Sequence, residues 1–146
     1  MATAISRNFT LPRVSIAALV VIGMTSAFAA DWPSFKPGTW QFDRTLEGAG
    51  RAPEKVSQTK CVDPAADQKK MRDALARVGC TFTPVTRSGT TYRHSATCRM
   101  AGTTTTSESV LEVHGVDSYT VTVDSVTGDS RTHEVLTARR VGDCAK

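Results

Sequence analysis

The sequence has little excess of either charge sign. Its 146 residues contain 18 lysines and arginines against 14 aspartates and glutamates, a formal net charge of +4 at pH 7. Removal of the N-terminal segment that contains Arg7 and Arg13 would bring the charge closer to balance. Nucleic-acid-binding domains usually carry a basic patch or stripe. We therefore expect no nucleic-acid partner.

Recognisable catalytic motifs are also missing. The sequence contains no G-x-S-x-G, no H-E-x-x-H, no phosphate-binding loop and no dinucleotide fingerprint. Of the three histidines, only His94 shares the strand parity of Tyr92 and Ala96, and a lone inward histidine is more often a core residue. Glu108 and Glu112 would stand roughly 13 Å apart on one strand, too far for paired glycosidase carboxylates. We expect that the protein is not an enzyme and has no catalytic residue or cofactor.

Long apolar runs are absent except near the N-terminus, where residues 14–24 form a short one. A weakly basic start precedes this run, and Ala27-Phe28-Ala29 follows it. This pattern predicts a secretory signal peptide over residues 1–29, cleaved after Ala29. The alternative is a membrane anchor, which would need about 20 apolar residues. We expect a single domain over residues 30–146, in the periplasm or secreted, with no membrane span after cleavage.

Cysteine is scarce. The sequence has four, all beyond the predicted signal peptide: Cys61, Cys80, Cys98 and Cys144. An even number of cysteines in a small exported chain is typical of disulfide bonding. The alternative is a structural zinc site, which usually brings its ligands in close pairs such as C-x-x-C. Because no such pair is present, we expect two disulfides and no metal.

Alternation of apolar and polar residues predicts a mostly β domain. The first strand is centred on Trp40, Phe42 and Leu46, and a loop over residues 47–55 follows it. Further strands are predicted over residues 56–62, 80–86, 91–100, 107–114, 119–126 and 131–140. Short, turn-like links favour an antiparallel meander of about seven strands that forms a small barrel or sandwich.

One short α-helix is predicted between the second and third strands. Asp63 can cap its N-terminus, Pro64 suits its first turn and Gly79 supplies its end. Its apolar stripe consists of Met71, Ala74, Leu75 and Val78. We expect this helix to lie across an open end or one edge of the sheet.

The turn after the third strand predicts one of the two disulfides. If residues 88–90 form a three-residue loop, Arg87 lies opposite Thr91 and Cys80 lies opposite Cys98. Directly opposed cysteines in an antiparallel pair can meet disulfide geometry. The two remaining cysteines, Cys61 and Cys144, then pair by elimination.

Aromatic residues make up 6% of the chain, and several share strand parity. The candidates for lining a ligand cavity are Trp40, Phe42, Tyr92, His94 and Tyr119. An apolar lining with a few polar groups suits an apolar or amphipathic small molecule. The alternative is that these side chains fill a small core, which leaves a structural or protein-interaction role in the cell envelope. We expect a monomer whose partner is a small apolar ligand or an envelope component.

Four segments resemble those of a known family. Residues 36–41 resemble a PG-x-W-E opening, and residues 58–62 resemble a Q-x-x-x-C-L segment before a helix. Residues 95–98 resemble a later strand that carries a cysteine, and residues 138–144 resemble a closing G-R-x-L-G-D-C. Together they resemble the bacterial exported proteins grouped as domain-of-unknown-function family 3617. The resemblance implies a Gram-negative, periplasmic setting, and it implies no activity and no binding residue.

Overall fold

The computed structural model describes residues 32–48 and 50–145 of the chain. This part contains one helix and eight strands. In chain order the elements are β1 (Gly38–Gly48), β2 (Arg51–Val62), α1 (Pro64–Arg77), β3 (Cys80–Phe82), β4 (Thr86–Ser88), β5 (Thr91–Met100), β6 (Thr103–Gly115), β7 (Ser118–Thr127) and β8 (Ser130–Gly142). The predicted signal peptide and its cleavage point lie outside the described residues. Among the described helices, none is long and apolar enough to cross a membrane.

All eight strands belong to one antiparallel sheet. Its order is β2-β1-β8-β7-β6-β5-β3, with β4 also paired to β5. The mostly β, antiparallel fold with one helix is therefore confirmed. The barrel alternative is wrong, because the edge strands β2 and β3 do not pair and the sheet stays open. Strand β3 is only three residues long. Since the sheet does not close on itself, its apolar face is covered by residues 32–37 and α1.

The hairpin that contains β3, β4 and β5 changes register along its length. Cys80 pairs with Cys98 as expected, but Arg87 pairs with Tyr92 and Ser88 with Thr91. The predicted opposition of Arg87 and Thr91 is therefore wrong, and the turn has two residues rather than three. The predicted strand 80–86 is accordingly split in two.

A bulge between β3 and β4 reconciles the two registers. Residues 83–85 on one side face only residues 94 and 95 on the other. Pro84 lacks a backbone N–H and cannot donate to the ladder. The Thr83 hydroxyl accepts a hydrogen bond from the Ser95 N–H at 2.8 Å. One extra residue on one strand is the defining feature of a β-bulge.

The first hairpin is longer than the sequence pattern suggests. Strand β1 continues to Gly48 and β2 begins at Arg51, so the predicted loop over residues 47–55 is wrong. Because β2 is an edge strand, only one side of it needs a hydrogen-bonded neighbour. Pro53 is tolerated there, because every second N–H group of an edge strand points to solvent and has no partner in the sheet.

Helix α1 begins and ends where the sequence predicts. The Asp63 carboxylate accepts from the N–H groups of Ala65 and Ala66 at 3.0 and 3.2 Å. Gly79 follows the helix at φ +107°, and a Cβ there would lie 2.5 Å from the Arg99 carbonyl oxygen. The position therefore requires glycine.

The apolar stripe of α1 is not buried as a core stripe would be. Met71 is 62% exposed and Val78 is 54% exposed. The only fully buried residue of the helix is Pro64. The helix therefore stands off the sheet along most of its length.

The core lies on the sheet face that α1 covers. Direct pairing places Phe42 beside Ala138 and Ala138 beside Tyr119, so the three side chains share one face. The buried core is Phe35, Trp40, Phe42, Val85, Tyr92, Leu111, Tyr119 and Ala138. Phe35 contributes from the segment before β1, and its ring centroid lies 4.6 Å from that of Tyr119.

Both predicted disulfides are confirmed. Cys61 at the end of β2 is bonded to Cys144, across a sequence separation of 83 residues. Cys80 on β3 is bonded to Cys98 on β5, across 18 residues. The first ties the segment after β8 to the β2 edge of the sheet, and the second holds the short strand β3 on the opposite edge.

Candidate functional site

A cavity lies between α1 and the sheet. Its volume is about 560 Å³, and it is open on part of its surface. Helix α1 provides Ala65, Ala66, Gln68, Lys69, Met71, Arg72 and Leu75, and the rest of the chain provides Trp32, Phe82, Val85 and His94. The volume falls within the range of roughly 300–1,000 Å³ that is usual for small-molecule sites.

The sheet side of the cavity is built from three rings. The Trp32 ring meets the His94 ring edge-on, with centroids 5.6 Å apart. The Phe82 ring lies 6.3 Å from His94 on the other side. Phe82 and Ala96 are directly paired, and Ala96 has the same strand parity as His94. The register of β3 and β5 therefore places Phe82 and His94 on one wall.

The helix side of the cavity consists of the face that carries Met71 and Leu75. Sequence patterning assigns these residues to an apolar stripe. The structure directs the stripe toward a space rather than into packed side chains, which explains the high exposure of Met71. An apolar stripe that lines an open space is a surface that a ligand can cover.

Of the five residues predicted to line a cavity, the structure places only His94 in this wall. Trp40, Phe42, Tyr92 and Tyr119 are all buried in the core. Phe35 packs against two of them, Trp40 and Tyr119, with ring centroids 6.0 and 4.6 Å away. Strand parity identifies the face of a side chain but not what lies above it.

Tyr119 shows how α1 is seated at the centre of the sheet. Burial raises the pKa of Tyr119 to about 12, and the polar Gln68 side chain acts in the opposite direction. Lys60 of β2 also pairs with Asp67 of the helix at 2.6 Å. The first half of the helix is therefore anchored to the sheet, while Phe82 and His94 face the cavity beside its second half.

Apart from Phe82, an aromatic residue of the predicted strand over residues 80–86, the cavity residues that sequence reasoning missed are Trp32, Val85 and the helix side chains. The apolar stripe of the helix was the one available signal for part of this wall. Trp32 lies in the turn-rich segment before β1, and Val85 lies in the bulge. Nothing in the local pattern of either segment indicates a position beside His94.

Arg72 carries the main charge in the cavity wall. Its guanidinium carbon lies 4.4 Å from the centroid of the Phe82 ring, and one of its nitrogens donates to the Thr83 carbonyl oxygen at 3.3 Å. Within the described residues no carboxylate forms an ion pair with it. Lys69, by contrast, is paired with Asp73 at 2.7 Å.

His94 should titrate below its ordinary pKa of 6.5. Burial lowers the pKa of His94, and the nearby Arg72 charge lowers it further. The folded state therefore binds this proton less readily than the unfolded chain. The contribution of neutral His94 to the stability of the folded state is present above pH 6.5 and is lost as the pH falls through the folded pKa.

This shift can be measured by a histidine NMR titration of the wild type and of Arg72→Gln. We expect the variant to raise the pKa of His94 without fully restoring it, because burial is the larger cause. Arg77→Gln is the matched control, since Arg77 lies in the last turn of α1 and does not line the cavity. A wild-type value at or above 6.5 would contradict this account.

The remaining candidate side chains lie apart from the cavity. His133 is bonded to Asp124 at 2.7 Å on the opposite face of the sheet, and this hydrogen bond raises the pKa of His133. His114 is bonded to the Thr120 hydroxyl at 3.0 Å. In the part of the chain that the structure describes, no three His, Cys, Asp or Glu side chains could together hold a metal ion.

Comparison with known proteins gives one match. The family model described as "Protein of unknown function (DUF3617)" matches residues 35–144. No curated protein and no solved structure matches the chain. The matched span runs from the buried Phe35 through every strand to Cys144, and so includes both disulfides and the helix. The chain belongs to the DUF3617 family.

Proposed function

We propose that this domain binds an apolar or amphipathic small molecule in the cavity between α1 and the sheet. The observation that carries the proposal is the cavity itself, with a volume of about 560 Å³ and mainly apolar walls. Small-molecule sites are usually concave and largely apolar, with a few polar groups that orient the ligand. Here the apolar part includes Met71, Leu75 and Phe82, and the polar groups include Arg72 and His94.

The way the helix is held supports this proposal. Asp63 caps one end of α1, and the exposed Lys60–Asp67 ion pair connects the same end to β2. At the other end, the chain leads through Gly79 directly into Cys80, which is bonded to β5. Both ends of α1 are therefore tied to the sheet, one through β2 and the other through the Cys80–Cys98 bond. A ligand that covered Met71 would gain about 25 cal/mol for each Å² of apolar surface removed from water.

Binding can be tested by titration with the neutral fluorescent dye Nile red. The wild type should bind it, and Ala66→Phe should weaken binding by about tenfold, equivalent to about 1.4 kcal/mol. The reason is that Ala66 lines the cavity and a phenylalanine there would occupy part of it. Ala76→Phe is the matched control, because Ala76 is also an exposed alanine of α1 but does not line the cavity.

The outcomes separate the two functions that the sequence left open. Equal weakening by both substitutions would show that the dye binds elsewhere on the helix. If the wild type does not bind Nile red, a structural or protein-interaction role in the cell envelope becomes the better proposal. We propose that the protein binds its ligand and does not convert it. A ligand recovered from the protein should therefore be chemically unchanged.

We also propose that the domain works in the periplasm or as a secreted protein. Two features support this location: the signal-peptide pattern of residues 1–29 and the two disulfides, which persist mainly in oxidising compartments. N-terminal sequencing of the exported protein should begin at Ala30. Recovery of a chain that still begins at Met1 and stays in the cytoplasmic fraction would contradict the proposal.

A further inference from the structure

The polar groups in the cavity wall are unusual in being mainly donors. We propose that the ligand is a single-chain amphiphile with an anionic head group, which is held beside Arg72 while its apolar chain lies against Met71 and Leu75. This inference rests on the proposed function, because it concerns the same cavity. It adds the charge of the ligand and the end of the cavity that recognises it.

Arg72 is the first reason. A guanidinium group has five N–H donors in a planar arrangement that suits carboxylate and phosphate oxygens. In the described residues, this group uses one nitrogen on the Thr83 carbonyl and stacks over Phe82. Its remaining donors are directed neither to an aspartate nor to a glutamate. A half-buried positive charge without a counter-ion favours binding of an anion.

Trp32 is the second reason. Its indole N–H is buried and has no hydrogen-bond partner among the described residues. A buried donor that is left without an acceptor destabilises the folded state. An oxygen of a bound ligand would supply the missing acceptor. Trp32 lines the same cavity as Arg72, so a ligand in the cavity lies against both residues.

His94 connects these two groups along one wall of the cavity. Its ring lies 5.6 Å from that of Trp32 and 6.3 Å from that of Phe82, over which the Arg72 guanidinium is stacked. The lining residues include no aspartate and no glutamate. An anion at this end of the cavity would therefore meet donors and no competing carboxylate, whereas a cationic head group would meet the positive charge of Arg72.

The helix side of the cavity is suited to a hydrocarbon chain. Met71 and Leu75 present apolar surface, and Met71 in particular is mostly exposed. Methionine adapts readily to irregular apolar partners because its side chain is unbranched and flexible. A carboxylate and a phosphate are the two head groups that match the donors equally well by charge, so the test includes both.

The experiment is competition against bound Nile red, below the micelle concentration of each competitor and at neutral pH. The four competitors share one chain length: dodecanoate, dodecyl phosphate, dodecanol and dodecyltrimethylammonium. We expect at least one anionic competitor to bind about tenfold more tightly than dodecanol, a difference of about 1.4 kcal/mol. If dodecanoate binds more tightly than dodecyl phosphate, the preferred head group is a carboxylate. If dodecyl phosphate binds more tightly, the preferred head group is a phosphate.

Arg72→Gln should remove the preference for the anionic competitors over dodecanol, measured as the ratio of their affinities for the same variant. Arg77→Gln, at an exposed position of α1 outside the cavity, should keep the preference. Salt gives a readout that needs no variant: added salt should weaken anion binding more than dodecanol binding, since it screens partly exposed charges.

The inference is overturned if dodecanol or the cationic amphiphile binds as tightly as both anions, or if Arg72→Gln keeps the full preference. In either case Nile red would still bind the wild type, and the proposed small-molecule site would stand. If neither the dye nor any competitor binds the wild type, both the site and the choice of ligand are wrong.

Discussion

Removing the Cys61–Cys144 disulfide should lower the free energy of unfolding by about 4–5 kcal/mol. The bond closes a loop with a sequence separation of 83 residues. In the chain-entropy treatment, a loop of that length restricts the unfolded chain by nearly this amount. Since a small domain is stable by only about 5–15 kcal/mol in total, the loss would leave the protein marginal at elevated temperature.

The double variant Cys61→Ser/Cys144→Ser is the appropriate test, because it leaves no thiol to form a wrong disulfide. Equilibrium unfolding in urea, compared with the wild type, gives the difference directly. The matched control is Cys80→Ser/Cys98→Ser, which opens the loop of 18 residues and should cost about 3 kcal/mol. A smaller loss from the long loop than from the short one would contradict the entropic account.

Without the Cys61–Cys144 bond, two polar contacts would remain to hold the chain end near β1. The Thr39 hydroxyl donates to the Asp143 carbonyl oxygen at 2.7 Å, and Arg140 pairs with the Asp143 carboxylate. Asp143 is largely exposed, so its ion pair contributes little. Amide exchange around Asp143 should therefore become faster in the serine variant, while the exchange of β8 residues near Ala138 should change little under native conditions.

Replacing Trp40 by alanine should destabilise the domain by about 3–5 kcal/mol. Trp40 is completely buried, and its ring centroid lies within 6.0 Å of Phe35 and 5.6 Å of Tyr119. Its indole N–H donates to the Lys36 carbonyl oxygen at 3.1 Å. The substitution removes all of these contacts and leaves a large cavity beneath the segment before β1.

Trp32→Ala is the matched control, because it removes the other tryptophan of the chain. Trp32 is only partly buried, and its indole N–H has no partner in the described residues, so the stability loss should be clearly smaller. The same variant should weaken Nile red binding, since Trp32 lines the cavity. Urea unfolding of both variants measures the difference, and equal losses of stability would show that the core is not centred on Trp40.

Local chemistry was sufficient to predict several parts of the fold. The limits of α1 follow from Asp63 and Gly79, because capping and a positive φ depend on immediate neighbours along the chain. The pairing of Cys80 with Cys98 follows from antiparallel geometry around a nearby turn. The wrong turn length did not affect it, because the bulge at Pro84 shifts the register by one residue before β3.

The long first hairpin could not be predicted in the same way. Residues 47–55 contain glycine, proline and charged side chains, which locally favour a loop. They form strands because β1 and β8 offer a continuous ladder for pairing, and an edge strand can expose polar side chains on both faces. Backbone hydrogen bonds to a distant partner outweighed a weak local preference.

The sequence by itself determined which side chains share a face of the sheet, where the helix begins and ends, and which cysteines pair. Each of these depends on periodicity or on short-range geometry. The tertiary structure alone decided that the sheet stays open, that Trp40 and Tyr119 fill a core, and that a cavity opens instead beside His94 and Arg72. The physical reason is that strand parity states only which way a side chain points. Whether that side chain meets packed atoms or open space depends on how high α1 is held above the sheet, and contacts among residues far apart in the chain set that height.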